Sequence, residues 1–271
     1  MKFIRFIDIY DLTHYGCDFD GTTAIVIEGD ILGHFNITQD RVHVQTLLPP
    51  IIPPAILCIG LNYKNHAQEL DMPLPDYPAL FMKNPATLTG PMSDICIPLS
   101  CKNPSQVDYE AELAVVIKHK VKNASEQTAL ESVLGYTCAN DVSAREWQKN
   151  AGGGQWIRAK SFDTFCPLGP AIVTLDEIPD PGNLAVECRL NGTVMQSGST
   201  SDMIFSIPEI IAYLSEDTTL LPGTVILTGT PAGVGFIRTP PVYLKNGDEL
   251  ETQISSLGTM KNPVKEVSHN G

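Results

Sequence analysis

Basic residues are scarce: 18 Lys and Arg stand against 31 Asp and Glu, a net charge of −13. Such a surface repels nucleic acid and anionic membranes, so neither is an expected partner. No apolar run approaches the ~18 residues of a membrane-spanning helix. The start, Met1 to Tyr10, carries charge and apolar residues, but Asp8 and Asp11 interrupt it before a signal-peptide core. A cytoplasmic protein is expected. Seven cysteines are scattered with no C-x-x-C pair and mostly in apolar company, which reads as reduced packing residues. Internal repeats and low-complexity tracts are absent. What remains is a 271-residue chain with a 43% hydrophobic share, enough for a main domain with a smaller one beside it.

Short β-like runs at 3–9, 23–28 and 31–35, with a turn at Glu28-Gly29-Asp30, predict a small all-β lobe over residues 1–50. Pro49, Pro50, Pro53 and Pro54 then form a stiff crossing into a second domain, 51–271. In that domain strands are predicted at 55–60, 80–84, 95–99, 136–140 and 225–228, with a hairpin around Asn191-Gly192. Helical spacing is read over 125–134, ended by Gly135, over 142–148, and over 207–214 behind Pro208. The turn Lys245-Asn246-Gly247-Asp248 suggests a last hairpin over 242–250.

The stretch Val107 to Ile117, V-D-Y-E-A-E-L-A-V-V-I, sets Asp108, Glu110 and Glu112 on one parity and apolar residues on the other. That is the period of a half-buried strand, and neighbours two apart sit roughly 6.5–7 Å from one another. Glu110 and Glu112 can therefore face one hard cation. Taken alone, the same pattern also fits the solvated face of a surface strand. Asp141, delivered by the strand ending at Asn140, adds a third carboxylate. With no His or Cys at matching spacing, oxygen-only ligation suits Mg²⁺, Mn²⁺ or Ca²⁺ rather than zinc.

His66 and Glu69 lie three apart, so one helical turn brings them together, although such a histidine is also common at a surface. Arg145 and Gln148 share a helical face with Asp141, and Lys160 stands among aromatics. The run from Gly229 to Gly235 departs from nucleotide-loop order and contains Pro231. It reads either as a turn whose amides and Thr230 hydroxyl approach a ligand anion, or as a purely structural turn.

Five ordered stretches, G-L-N-Y-K-N-H-A-Q-E, V-D-Y-E-A-E-L-A-V-V-I, G-Y-T-C-A-N-D-V-S-A-R-E-W-Q, A-K-S-F-D-T-F-C-P-L-G-P and I-L-T-G-T-P-A-G-V-G, resemble the fumarylacetoacetate hydrolase family over about residues 55–265. The similarity is to its short members with a small N-terminal lobe. It implies an α+β, mostly β fold: a mixed β-sandwich roll forming a homodimer. It also implies a Mg²⁺ or Mn²⁺ site at Glu110, Glu112 and Asp141, a water-activating dyad of His66 and Glu69, Lys160 polarising the substrate, and Arg145, Gln148 and Thr230 holding its oxygens. Members that cleave fumarylacetoacetate add a carboxylate ligand before the histidine motif. Ile56 to Leu61 supplies none, which favours a three-carboxylate site and another substrate.

The expected reaction is hydrolysis of a β-diketo acid of the acylpyruvate or fumarylpyruvate type to pyruvate and a carboxylic acid. His66, neutral and oriented by Glu69, would take a proton from water, and C–C cleavage would leave a pyruvate enolate. Decarboxylation of oxaloacetate passes through the same enolate without activated water. Isomerisation of an unsaturated 2-oxo diacid is a further alternative, and a non-catalytic metal-binding relative stands last.

Overall fold

The computed structural model describes residues 1–101 and 105–268. Two sheets carry the fold. In the larger, strands run in the order Phe35–His43, Thr23–Gly29, Thr13–Cys17, Lys2–Ile7, Cys166–Thr174, Val133–Asn140, Ala111–Ile117, Val225–Leu227, Ile56–Gly60 and Ala79–Lys83. In the smaller, the order is Thr193–Ser199, Ala185–Leu190, Glu249–Ile254, Gly258–Glu266 and Ile95–Ile97. The structure is mostly β with few helices, and no described helix is long and apolar enough to cross a membrane.

Ala111–Ile117 is the central strand, and its alternation works differently from that of a half-buried strand. Leu113, Val115 and Ile117 enter a core shared with Val186, Cys188 and Leu250 of the smaller sheet. Ala114 and Val116 enter a second core with Phe3, Ile56 and Leu227. Both faces are therefore covered, and Glu112 is buried on the second face rather than solvated. Each fully buried aliphatic side chain here contributes roughly 1.5–3 kcal/mol.

Several local expectations give way to sheet pairing. The helix predicted over 125–134 shrinks to a 3₁₀ turn, Ala129–Ser132, because Val133 and Leu134 open the strand that pairs with Ala111–Ile117. Gly135 sits inside that strand: a Cβ there would lie 2.3 Å from the Val173 carbonyl oxygen, so close strand approach explains the glycine. Over 142–148, Ser143–Ala144 instead pairs with Val107–Asp108, and a π-helical turn, Trp147–Ala151, follows. Residues 31–33 form the turn before Phe35–His43 instead of a strand. The last hairpin joins Glu249–Ile254 to Gly258–Glu266, so the turn at 245–248 precedes it.

Other expectations hold. The Asn191-Gly192 hairpin joins Ala185–Leu190 to Thr193–Ser199. Helix α2, Ile207–Ser215, starts in a capping box in which Ser206 and Glu209 satisfy each other's backbone N–H groups. Helix α1, Lys64–Glu69, is the single turn expected around His66.

Candidate active site

The acidic stretch breaks at Tyr109 and Glu110, between Val107–Asp108 and Ala111–Ile117. Asn140 bridges the break: its side-chain oxygen accepts from Glu110 N at 3.0 Å, while the Glu110 carbonyl accepts from Asp141 N at 2.8 Å. Because Ala111 pairs with Asn140, the residues flanking that pair, Glu110, Glu112 and Asp141, converge. One carboxylate oxygen from each lies within 4.8 Å of the other two, and all three residues are buried.

Their charges are not evenly balanced. Glu110 accepts from Arg145 Nη1 at 2.7 Å and Lys160 Nζ at 2.8 Å. Burial pushes its carboxyl up, but Lys160 and Arg145 outweigh burial and hold it down at about 2. Asp141 is shared by Lys160 and by Lys83, whose Nζ is 2.5 Å from Oδ1. Glu112 has no cation within ion-pair reach among the described residues, and its one side-chain hydrogen bond comes from Gly229 N at 2.7 Å. Burial, then Asp141 and Glu110, push its carboxyl well above the usual range. A buried carboxylate beside two others, without an ion pair of its own, fits a group of ligands completed by a hard cation. Glu110, Glu112 and Asp141 would hold such an ion through oxygen alone.

On the other wall, His66 Nδ1 lies 3.1 Å from Glu69 Oε1, leaving Nε2 as the nitrogen available to a substrate. Asn62 anchors the segment entering α1, donating to Phe205 O and Thr228 O and accepting from Phe205 N. The far end is tied by Gly233 N, which donates to both Glu69 oxygens at 2.8 and 3.1 Å. His66 and the triad's two glutamates line one cleft of about 600 Å³.

Arg145 and Gln148 come together despite the altered backbone, Nη1 donating to the Gln148 amide oxygen at 2.9 Å. Arg145 Nη2 is buried and has no hydrogen-bond partner among the described residues. Thr230 also lines the cleft, but its hydroxyl donates to Ala111 O at 2.9 Å and accepts from Gln196 Nε2 at 2.8 Å.

Three N–H groups of the glycine-rich run, and that of Phe236 just beyond it, meet protein carboxylates: Gly229 meets Glu112, Gly233 meets Glu69, and Gly235 and Phe236 meet Asp108. The glycine at 235 is required by packing, since a Cβ there would lie 1.9 Å from the Val242 carbonyl oxygen.

Two residues of this site lie outside the expected set. Asp108, on the same parity as the glutamates, is turned away by the strand break and accepts from Arg145 Nε at 2.9 Å, fixing that guanidinium. Lys83 is fully buried and shares the inward parity of Phe81, while Leu80 and Met82 face out. A lysine on the apolar parity of its strand is the signal that marks it. Breaking a buried ion pair costs roughly 3–5 kcal/mol. Lys83→Met is therefore expected to lower the melting temperature by roughly 10 °C. Added Mg²⁺ should restore part of that loss by replacing the missing charge, which melts with and without Mg²⁺ will check.

A model of the fumarylacetoacetate (FAA) hydrolase C-terminal region matches residues 55–265. The chain belongs to the fumarylacetoacetate hydrolase family. It is 48% identical over 224 residues to the Xenopus laevis protein named oxaloacetate tautomerase fahd2, mitochondrial, covering 83% of this chain and 69% of that one. The Homo sapiens oxaloacetate tautomerase FAHD2A, mitochondrial, is 46% identical over the same length, covering 83% and 70%. Among solved structures, a 2-hydroxyhepta-2,4-diene-1,7-dioate isomerase from Mycobacterium marinum superposes with a TM-score of 0.83 at 38% identity, over 98% of each chain. A fumarylacetoacetate hydrolase from Exiguobacterium antarcticum gives 0.85 at 36% identity, over 98% of this chain and all of that one. The chain is thus an enzyme of this superfamily, with a mostly β fold, and enzymes of the family typically use a divalent metal.

Proposed function

We propose that this enzyme forms and protonates the enolate of a short 2-oxo acid, and that interconversion of the keto and enol forms of oxaloacetate is its main reaction. The observation that carries the reading is His66, held by Glu69, lining the same cleft as Glu110 and Glu112 of the carboxylate triad completed by Asp141. The names of the frog and human relatives favour oxaloacetate. A divalent cation, Mg²⁺ or Mn²⁺, when bound would supply Lewis-acid polarisation of the 2-oxo group. The buried Arg145 Nη2 receives the substrate carboxylate, with the Gln148 amide beside it. Lys160, kept charged by Asp141 and Glu110 against its burial, places an ammonium near the oxygen on which charge develops. His66 Nε2 takes the C3 proton as the C3–H bond breaks and delivers it to the enol oxygen, while Glu69 fixes the ring through Nδ1.

Acylpyruvate hydrolysis is the second reading, and the double tether of Glu69 to Gly233 favours it, since a rigid dyad is what activating water requires. There His66 takes its proton from water, the hydroxide adds to the distal carbonyl, and the C–C bond breaks to leave a carboxylic acid and the enolate of pyruvate. The enzyme is proposed to act as a homodimer, as the family resemblance implies. The test follows the enol absorbance of oxaloacetate together with pyruvate release from oxaloacetate, acetylpyruvate and fumarylpyruvate, all with Mg²⁺. Enol–keto conversion well above buffer, outpacing pyruvate release, is the expected result. Cleavage of the diketo acids with no effect on the enol would replace it with the hydrolytic reading.

A further inference from the structure

Three cationic side chains line the cleft, Arg145, Lys149 and Lys160. Two are committed: Arg145 to Asp108 and Glu110, and Lys160 to Glu110 and Asp141. Lys149 is exposed on the π-helical turn and has no carboxylate in ion-pair reach among the described residues. Its neighbour Glu146 is occupied by Asn150 Nδ2, at 3.0 and 3.1 Å. Lys149 is nevertheless positioned, with Nζ 4.5 Å from the centroid of the Phe236 ring. The same ring carries Arg145 Cζ at 4.4 Å, so one aromatic ring ties the outer cation to the inner one.

We infer that Lys149 binds the distal carboxylate of a 2-oxo dicarboxylate whose other end lies against Arg145, making it the residue that selects dicarboxylates over neutral-tailed 2-oxo acids. The inference rests on the 2-oxo acid reading of the cleft and adds the residue that reads the second carboxylate. The inner cations are matched by the enzyme's own carboxylates, so a second anionic group has Lys149 as its partner. At this exposed position the pair is worth roughly 1.5- to fivefold in affinity. It should weaken with salt.

The test is calorimetric binding with Mg²⁺ of 2-oxoglutarate and 2-oxopentanoate, which have the same carbon count and differ by carboxylate against methyl at the far end. The wild type should prefer 2-oxoglutarate roughly 1.5- to fivefold. Lys149→Met should abolish the preference while leaving 2-oxopentanoate binding unchanged, and Lys149→Arg should retain it. A wild type without preference, or a Lys149→Met variant that keeps it, would overturn the inference and leave the 2-oxo acid reading standing. Binding of neither ligand by the wild type would overturn both.

Discussion

Glu112→Gln is expected to stabilise the metal-free protein and to abolish metal-dependent turnover. The carboxyl of Glu112 is pushed far up by burial and by Asp141 and Glu110, which Lys160 only partly offsets, and no cation among the described residues lies in ion-pair reach. A group whose folded pKa is raised contributes stability that is full below its unfolded pKa, ~4.3 for Glu, and is lost as pH rises through the folded value. Near neutral pH and above, the wild type therefore loses stability that a neutral amide keeps. The Gln oxygen can still accept from Gly229 N. In EDTA the variant should melt roughly 3–6 °C above wild type at pH 8, and the gap should close toward pH 5. Added Mg²⁺ should reverse the order, raising the wild type by ligand linkage and leaving the variant unmoved. Melting curves at the two pH values, with EDTA and with Mg²⁺, check both halves.

His66→Ala carries the second large effect. A positioned general base contributes roughly 10²- to 10⁴-fold, and among the described residues His66 is the one imidazole lining the cleft, fixed by Glu69. Enol–keto conversion of oxaloacetate should fall by that factor, and acylpyruvate cleavage with it. Decarboxylation of oxaloacetate should survive, because loss of CO₂ generates the enolate with no proton to abstract. Comparing CO₂ release with enol decay in one preparation separates these routes. A variant that loses all three activities equally would show His66 to be needed for the shape of the site rather than for proton transfer.

How much of this was legible follows from which signals are local. Glu110, Glu112 and Asp141 could be found because alternation sets the glutamates on one parity and the pairing of Ala111 with Asn140 brings the next residue alongside. His66 and Glu69 could be found because a single turn of α1 needs only three residues to join them. Alternation does not reveal the break at Tyr109, so the separate role of Asp108 beneath Arg145 appears only once Val107–Asp108 is seen to pair with Ser143–Ala144. Helical spacing over 125–134 loses to long-range pairing, since Val133 and Leu134 gain more by joining the sheet than a short isolated helix can offer. The glycine-rich run misleads for a related reason. Its Gly229, Gly233 and Gly235 N–H groups are anion donors as expected, but the anions are Glu69 on α1 and Asp108 and Glu112 in the acidic stretch.

Deuterium wash-in to the C3 methyl group of pyruvate, followed by proton NMR, tests most directly whether this site makes an enolate. The methyl protons should exchange faster than in buffer when Mg²⁺ is present, and the excess should vanish in EDTA and in Glu112→Gln. Exchange no faster than buffer with Mg²⁺, or exchange indifferent to EDTA, would contradict a carboxylate-held cation acting on a 2-oxo acid.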